Sequence, residues 1–147
     1  LAAHTCMRRG EILSIKPHMC VRENGKEWLD LEKTKNGTVR RVALSDEACE
    51  ALKALSFEPS LHHTQSTFYK QWGKARRKIA PNDDNFVFHA IRHTVATKLA
   101  TEQNINAVVL QKIMGHKSLE TTSRYVHLKQ EQQHDYVTQM WTQEGAA

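Results

Sequence analysis

His89 and Arg92 stand three positions apart, so on a helix both side chains leave the same face one turn apart. The pair sets a titratable imidazole beside a permanent cation, a combination suited to moving a proton next to a bound anion. His116 follows Gly115, and Tyr125 comes nine positions later. A tyrosine hydroxyl has an ordinary pKa of about 10, so as a nucleophile it needs a neighbour that takes its proton. Core packing alone asks for no such set.

Two further cations join from distant parts of the chain. Arg8, in Thr5-Cys6-Met7-Arg8-Arg9-Gly10-Glu11, falls at the join of two short helical segments. At a helix N-terminus, backbone N–H groups and an arginine can address the same anion. Lys35 immediately precedes the Asn36-Gly37 turn, where a long cation reaches out from a hairpin tip. A solvated turn lysine is the plainer alternative there.

These side chains need elements to hold them. From Leu1 to Ile15 apolar residues recur at helical spacing, predicting a helix end near Thr5 and a second short helix stopping before Pro17. Asn24-Gly25 and Asn36-Gly37 then divide the next stretch into strands near His18 to Glu23, Lys26 to Lys33 and Thr38 to Leu44, an antiparallel meander. Ser45 caps a helix that runs to about Leu55, with Asp46 and Glu47 in its first turn. Pro59 and His62-His63 read as a loop.

The following helix, from about Gln65 to Ala80, carries Phe68, Trp72, Ala75 and Ile79 as an inward stripe. Its other faces hold Lys70, Lys74, Arg76, Arg77 and Lys78, the densest basic cluster in the chain. A solvated helix face is the plainer reading, and a DNA-binding, phosphate-tracking surface becomes the better one only if the rest of the chain handles nucleic acid. A central helix near Phe88 to Glu102 turns Phe88, Ile91, Val95 and Leu99 inward. Asn104 or Asn106 caps the next helix, and Gly115 closes it in a left-handed conformation. Ser118 caps a short helix that carries Tyr125. The segment Leu128 to Gln143 is a polar helix with a narrow stripe of Tyr136, Val137, Met140 and Trp141, which needs a surface to lie on. The fold class is α+β, predominantly helical, with a small three-stranded antiparallel sheet.

Composition narrows the function classes. A chain of 147 residues with 39% hydrophobic and 25% charged residues fits one globular domain. The net charge of +5 and a pI near 9.2 favour a polyanionic partner, most simply nucleic acid. Three cysteines without a CxxC pair point to reduced thiols, as in a cytoplasm, and to no disulfide framework. There is no run of 18 apolar residues and no signal-like leader, so no membrane role is expected. The chain opens at Leu1 in mid-pattern, as a fragment of a longer protein would.

At this point the chain resembles the catalytic domain of a tyrosine recombinase, of the phage-integrase type, over nearly its full length. The segment around Arg8 is similar to the motif of the first catalytic arginine, and Thr34-Lys35-Asn36-Gly37 to the hairpin of the catalytic lysine. His89-Ala90-Ile91-Arg92-His93 resembles HxxRH, Met114-Gly115-His116 the GH motif, and Thr122-Ser123-Arg124-Tyr125 the region of the nucleophile. Cys6 stands where the family usually has glycine, and Ala43 where proline is common.

The resemblance implies site-specific DNA recombination, integration or excision, through a covalent 3′-phosphotyrosyl intermediate on Tyr125. Arg8 and Arg92 would hold the non-bridging oxygens, and loss of either would cost about 3 to 4 kcal/mol of transition-state stabilisation. His89 would be the general base, His116 would support the phosphate or the phenol, and Lys35 would be the general acid. Glu11 would orient the arginines, and His93 would stand hydrogen-bonded or packed beside the site. No metal or other cofactor is implied. His89 and His93 lack the glutamate that HExxH zinc sites carry.

The implied partner is double-stranded DNA, bound by a C-shaped clamp whose N-terminal DNA-binding domain is not in this sequence. The full-length protein would be a homo-tetramer on two duplexes, with the helix 128–143, through Met140 and Trp141, docking on the next protomer; the isolated domain could be a monomer. Type IB topoisomerase-like nicking and resealing, or a DNA-binding module without activity, are the alternative functions.

Overall fold

The structure, a computed structural model, describes residues 1–32, 39–102 and 105–126. Helices α1 (Ala2–Thr5) and α2 (Arg9–Leu13) lead into strands β1 (Cys20–Glu23), β2 (Lys26–Leu31) and β3 (Arg40–Ala43). Helices α3 (Asp46–Ala54), α4 (Pro59–His62), α5 (Gln65–Ile79), α6 (Phe88–Thr101), α7 (Ala107–Met114) and α8 (Leu119–Ser123) follow. The architecture is the expected helical domain with a three-stranded antiparallel sheet in the order β1-β2-β3.

Cys20 pairs with Leu29 and Trp28 with Ala43. The first turn works as its Asn-Gly pair predicts: Asn24 (φ 51°) and Gly25 (φ 74°) both take left-handed backbone, whose twist matches a tight hairpin. The second Asn-Gly pair, with Lys35, lies outside the described residues, as do Asn104 and the segment Leu128 to Gln143. β1 starts two residues later than expected, because Pro17–Met19 forms one 3₁₀ turn with proline at its first position.

The cap residues behave as their chemistry requires. Ser45, Thr64, Asn106 and Ser118 each accept a hydrogen bond from a first-turn N–H of the helix they precede. Gly115 ends α7 at φ 59° and ψ 44°. Cys6 ends α1 at φ 53°, so a side-chain-bearing residue holds a conformation that glycine adopts freely. Three expectations are corrected. Pro59–His62 is a helical turn with proline at its start, where a loop was expected. Ile79 is 70% exposed and not part of an inward stripe. Tyr125 stands two residues past the end of α8.

Two apolar clusters make the core. One gathers Met7, Ile12, Ile15, Leu29, Leu31, Val42 and Leu52 between the sheet and α2–α3; the other gathers Cys6, Ala96, Leu110, Met114 and Tyr125. Each fully buried Leu or Ile contributes roughly 1.5 to 3 kcal/mol. Helix α6 bridges the two, with Phe88 and Ile91 on the first and Val95 and Leu99 on the second. Arg92 lies between those partly buried pairs and is itself buried. α5 buries no residue fully and leans on α6 through its rings, Phe68 and Trp72 meeting Phe88 edge-on at 4.9 and 5.3 Å between centroids. Among the described residues no helix is long and apolar enough to cross a membrane.

Candidate active site

The end of α7 is where the site forms. A helix C-terminus leaves carbonyls unpaired and carries partial negative charge. Here three successive carbonyls are taken by three different arginines. Arg40 Nη1 donates to Ile113 O at 2.8 Å, Arg92 Nη2 to Met114 O, and Arg8 Nη2 to Gly115 O at 3.2 Å. Arg92 also donates through Nη1 to the carbonyl of Cys6, which ties α1 to α6.

Glu11 closes the arrangement from α2. Its carboxylate accepts from the Arg8 backbone N–H at 2.7 Å, from Arg8 Nη1 at 3.0 Å and from Arg40 Nη2 at 3.1 Å. It is buried, so these bonds replace its hydration. Two guanidiniums therefore bond this carboxylate and a third, that of Arg92, lies within reach of its charge, so the cluster carries an excess of positive charge. Burial, then repulsion from Arg8 and Arg40, lowers the Arg92 pKa to about 10; burial lowers that of Arg40 in spite of Glu11. A cluster with this excess of positive charge attracts anions, a phosphodiester among them.

His116 follows the carbonyl cluster directly. Its Nδ1 meets Thr122 Oγ1 at 2.9 Å, and its carbonyl accepts from Gln111 Nε2 at 3.2 Å. Burial first, then Arg92, Arg8, Arg124 and Arg40, lowers its pKa to about 4, so the ring is neutral at physiological pH. When the Thr122 hydroxyl donates to Nδ1, Nε2–H is left as a donor for a ligand.

His89 and His93 are stacked one turn apart on α6, edge-to-face with centroids 4.7 Å apart. The His89 ring is exposed and lines a groove of about 630 Å³ together with Arg8, Arg9, Tyr69, Trp72 and Arg76. Its inner edge is partly desolvated, and that, followed by the charges of His93, Arg92 and Arg8, lowers its pKa. His93 turns the other way and pairs through Nδ1 with the hydroxyl of Tyr125, whose ring is 8% exposed. Among the described residues no three His, Cys, Asp or Glu side chains gather as metal ligands.

The structure thus joins Arg8, Glu11, Arg92 and His116 around the end of α7, and His89, His93 and Tyr125 beside them; Lys35 lies outside the described residues. Of the α5 cations, Lys70, Lys74, Arg77 and Lys78 are exposed. Arg76 instead binds the Asp84 carboxylate at 2.9 Å and its carbonyl at 3.2 Å. Two residues escaped the sequence. Arg40 shares a face of β3 with buried Val42, and a charge at an inward strand position was the signal available. Arg9 stacks 4.3 Å over the exposed Tyr69 ring, which no spacing rule connects.

The fold is that of tyrosine recombinase catalytic domains. The model of the phage integrase family matches residues 1–132, and the chain belongs to that family. It is 32% identical over 135 residues to the shufflon-specific DNA recombinase of Escherichia coli, a match that covers 88% of this chain and 33% of that protein. It is also 32% identical over 133 residues to the tyrosine recombinase XerA of Saccharolobus solfataricus, covering 87% and 44%. The chain therefore spans less than half the length of these relatives.

Among solved structures it is similar to the XerH site-specific recombinase bound to its difH substrate in a pre-cleavage complex, with a TM-score of 0.73 and 25% identity over 93% of this chain and 44% of that one. The catalytic domain of bacteriophage HP1 integrase shares the fold, with a TM-score of 0.59 and 23% identity over 93% of this chain and 76% of that one.

Proposed function

We propose that the chain is the catalytic part of a site-specific recombinase that cuts and rejoins double-stranded DNA through a 3′-phosphotyrosyl bond on Tyr125. One observation carries the reading: the guanidiniums of Arg8, Arg40 and Arg92 gather with a single carboxylate at the end of α7, an arrangement suited to a phosphate, beside a tyrosine whose hydroxyl is hydrogen-bonded to a histidine. Arg8 takes a non-bridging oxygen of the scissile phosphate, its half-exposed guanidinium being open to the groove. Arg92 is held by two carbonyls and adds fixed charge, with N–H donors to spare. His116 donates from Nε2, and Lys35 protonates the leaving 5′ oxygen, worth roughly 10²- to 10⁴-fold in rate. Glu11 aims Arg8 and Arg40.

The full-length protein works as a tetramer on two duplexes, with Met140 and Trp141 contributing to contacts between protomers. Changing both to polar residues should abolish synapsis, and intact synapsis would sink that part. A cytoplasmic location suits three free thiols.

The test is covalent trapping on a nicked duplex, read on a denaturing gel, with the site first selected from random-sequence DNA by binding to the full-length protein. A DNA-linked band lost in Tyr125→Phe and kept in Tyr136→Phe is the expected result. No band on a substrate that binds would leave a DNA-binding module without activity.

A further inference from the structure

His93 Nδ1 meets the Tyr125 hydroxyl, with the two rings 5.8 Å apart between centroids and inclined at 38°. Two other histidines compete for the role of proton acceptor, and neither meets the Tyr125 hydroxyl. His116 spends Nδ1 on Thr122. His89 opens into the groove beside Arg8 and has no hydrogen-bond partner among the described residues. We infer that His93 is a catalytic residue, the base that takes the Tyr125 phenol proton, while His89 serves the phosphate side of the site. The inference rests on the recombinase reading given above.

The step balances. The Tyr125 Oη–H bond breaks and its proton passes to Nδ1, turning neutral His93 into imidazolium. The freed oxygen lone pair forms the Oη–P bond, and the P–O5′ electron pair leaves on the 5′ oxygen, which takes a proton from Lys35. Rejoining runs the same path backwards, with His93 returning the proton to the departing phenolate. Nδ1 must start unprotonated, so Nε2 carries the ring hydrogen.

The surroundings suit that starting state. His89 and Arg92 face His93 from α6, and Arg124 and Tyr125 from the turn after α8. Burial, then the charges of Arg124 and Arg92, hold the His93 pKa below its ordinary value, so at neutral pH the ring is ready to accept. The same two cations favour the phenolate as it forms.

The test is single-turnover cleavage of the nicked duplex by the full-length protein. His93→Asn keeps an acceptor oxygen near the position of Nδ1 but cannot take up a proton. Cleavage should fall roughly 10²- to 10⁴-fold with DNA affinity unchanged, and the acid limb of the pH profile should disappear. A 3,5-difluorotyrosine at position 125, whose hydroxyl ionises more easily, should recover at least about tenfold in that variant and little in the unaltered protein. A packing role for His93 would give no such recovery.

His89→Asn should keep the acid limb. Cleavage by His93→Asn within about twofold of the unaltered protein, or recovery by difluorotyrosine in His89→Asn instead, would overturn the inference while leaving the recombinase reading intact. An unaltered protein that forms no adduct overturns both. Because a change at position 93 can unfold the domain, the acid limb of the unaltered protein is also compared with the His93 titration by ¹⁵N NMR in the Tyr125→Phe complex with the same duplex. Midpoints more than about one pH unit apart would also overturn it.

Discussion

Arg40 lies so close over Gly115 that a Cβ on the glycine would stand 2.5 Å from Nη1 and 2.9 Å from Cδ and Cζ. Gly115 is also at φ 59°, where a side chain is strained whatever the space. Gly115→Ala therefore meets two costs at once. Arg40 must swing away, which breaks its bonds to Ile113 O and Glu11. The expected loss is about 2 to 4 kcal/mol, from backbone strain plus the partial loss of those two bonds, read as a lower urea midpoint. Arg40→Lys keeps the charge but not the two-pronged geometry, and should lose less stability than Gly115→Ala.

Glu11 is the carboxylate that three guanidiniums share space with, two of them bonded to it. Glu11→Gln leaves their charge uncompensated in a buried place. A loss of about 3 kcal/mol is expected in low salt. Added sulfate or duplex DNA should restore the variant's melting temperature more than it raises that of the unaltered protein, because an anion now does the carboxylate's work. An equal rise in both would show that the guanidiniums do not share an anion site.

Much of this site was legible in the sequence because its parts are local. Caps at Ser45, Asn106 and Ser118, the left-handed Gly115 and the Asn24-Gly25 turn all depend on residues within a few positions. What stayed hidden is set by packing across the chain. The Arg40 bond to Ile113 spans 73 positions and the Arg92 bond to Cys6 spans 86, and no periodicity reports such distances. His93 was read only as a neighbour of the site, since a helical spacing shows which face a ring leaves but not that Tyr125 turns back to meet it. Cys6 stands where the family usually has glycine, and only the structure shows that it holds the left-handed backbone, at φ 53°, that glycine adopts freely.

Three histidines, His89, His93 and His116, have pKa values lowered by burial and by arginines, His116 to about 4. A lowered folded value means that the unfolded chain binds more protons at intermediate pH. Stability is then fully present above the ordinary imidazole value of about 6.5 and is lost as pH falls from there towards 4. Thermal melts from pH 7 to pH 4 should show a falling midpoint, with a smaller fall in His116→Asn. Bound duplex should flatten the curve, since a phosphate near the rings stabilises their protonated form.

Lys70, Lys74, Arg77 and Lys78 share one face of α5 at helical spacing, and all four are exposed. If this stripe follows a DNA backbone, each residue neutralises about one phosphate and releases its counterions. Replacing Lys74 or Arg77 by alanine should then weaken binding to every duplex sequence alike and reduce the slope of log affinity against log salt by about 0.9 per residue. Arg76→Ala should behave differently. Its guanidinium is tied to Asp84, so the change should loosen the turn between α5 and α6 and lower the melting temperature more than the salt slope. Fluorescence anisotropy across a salt series, paired with melts, separates the two effects. An unchanged slope in both Lys74→Ala and Arg77→Ala would move the DNA off this face and onto the groove of Arg9 and Tyr69.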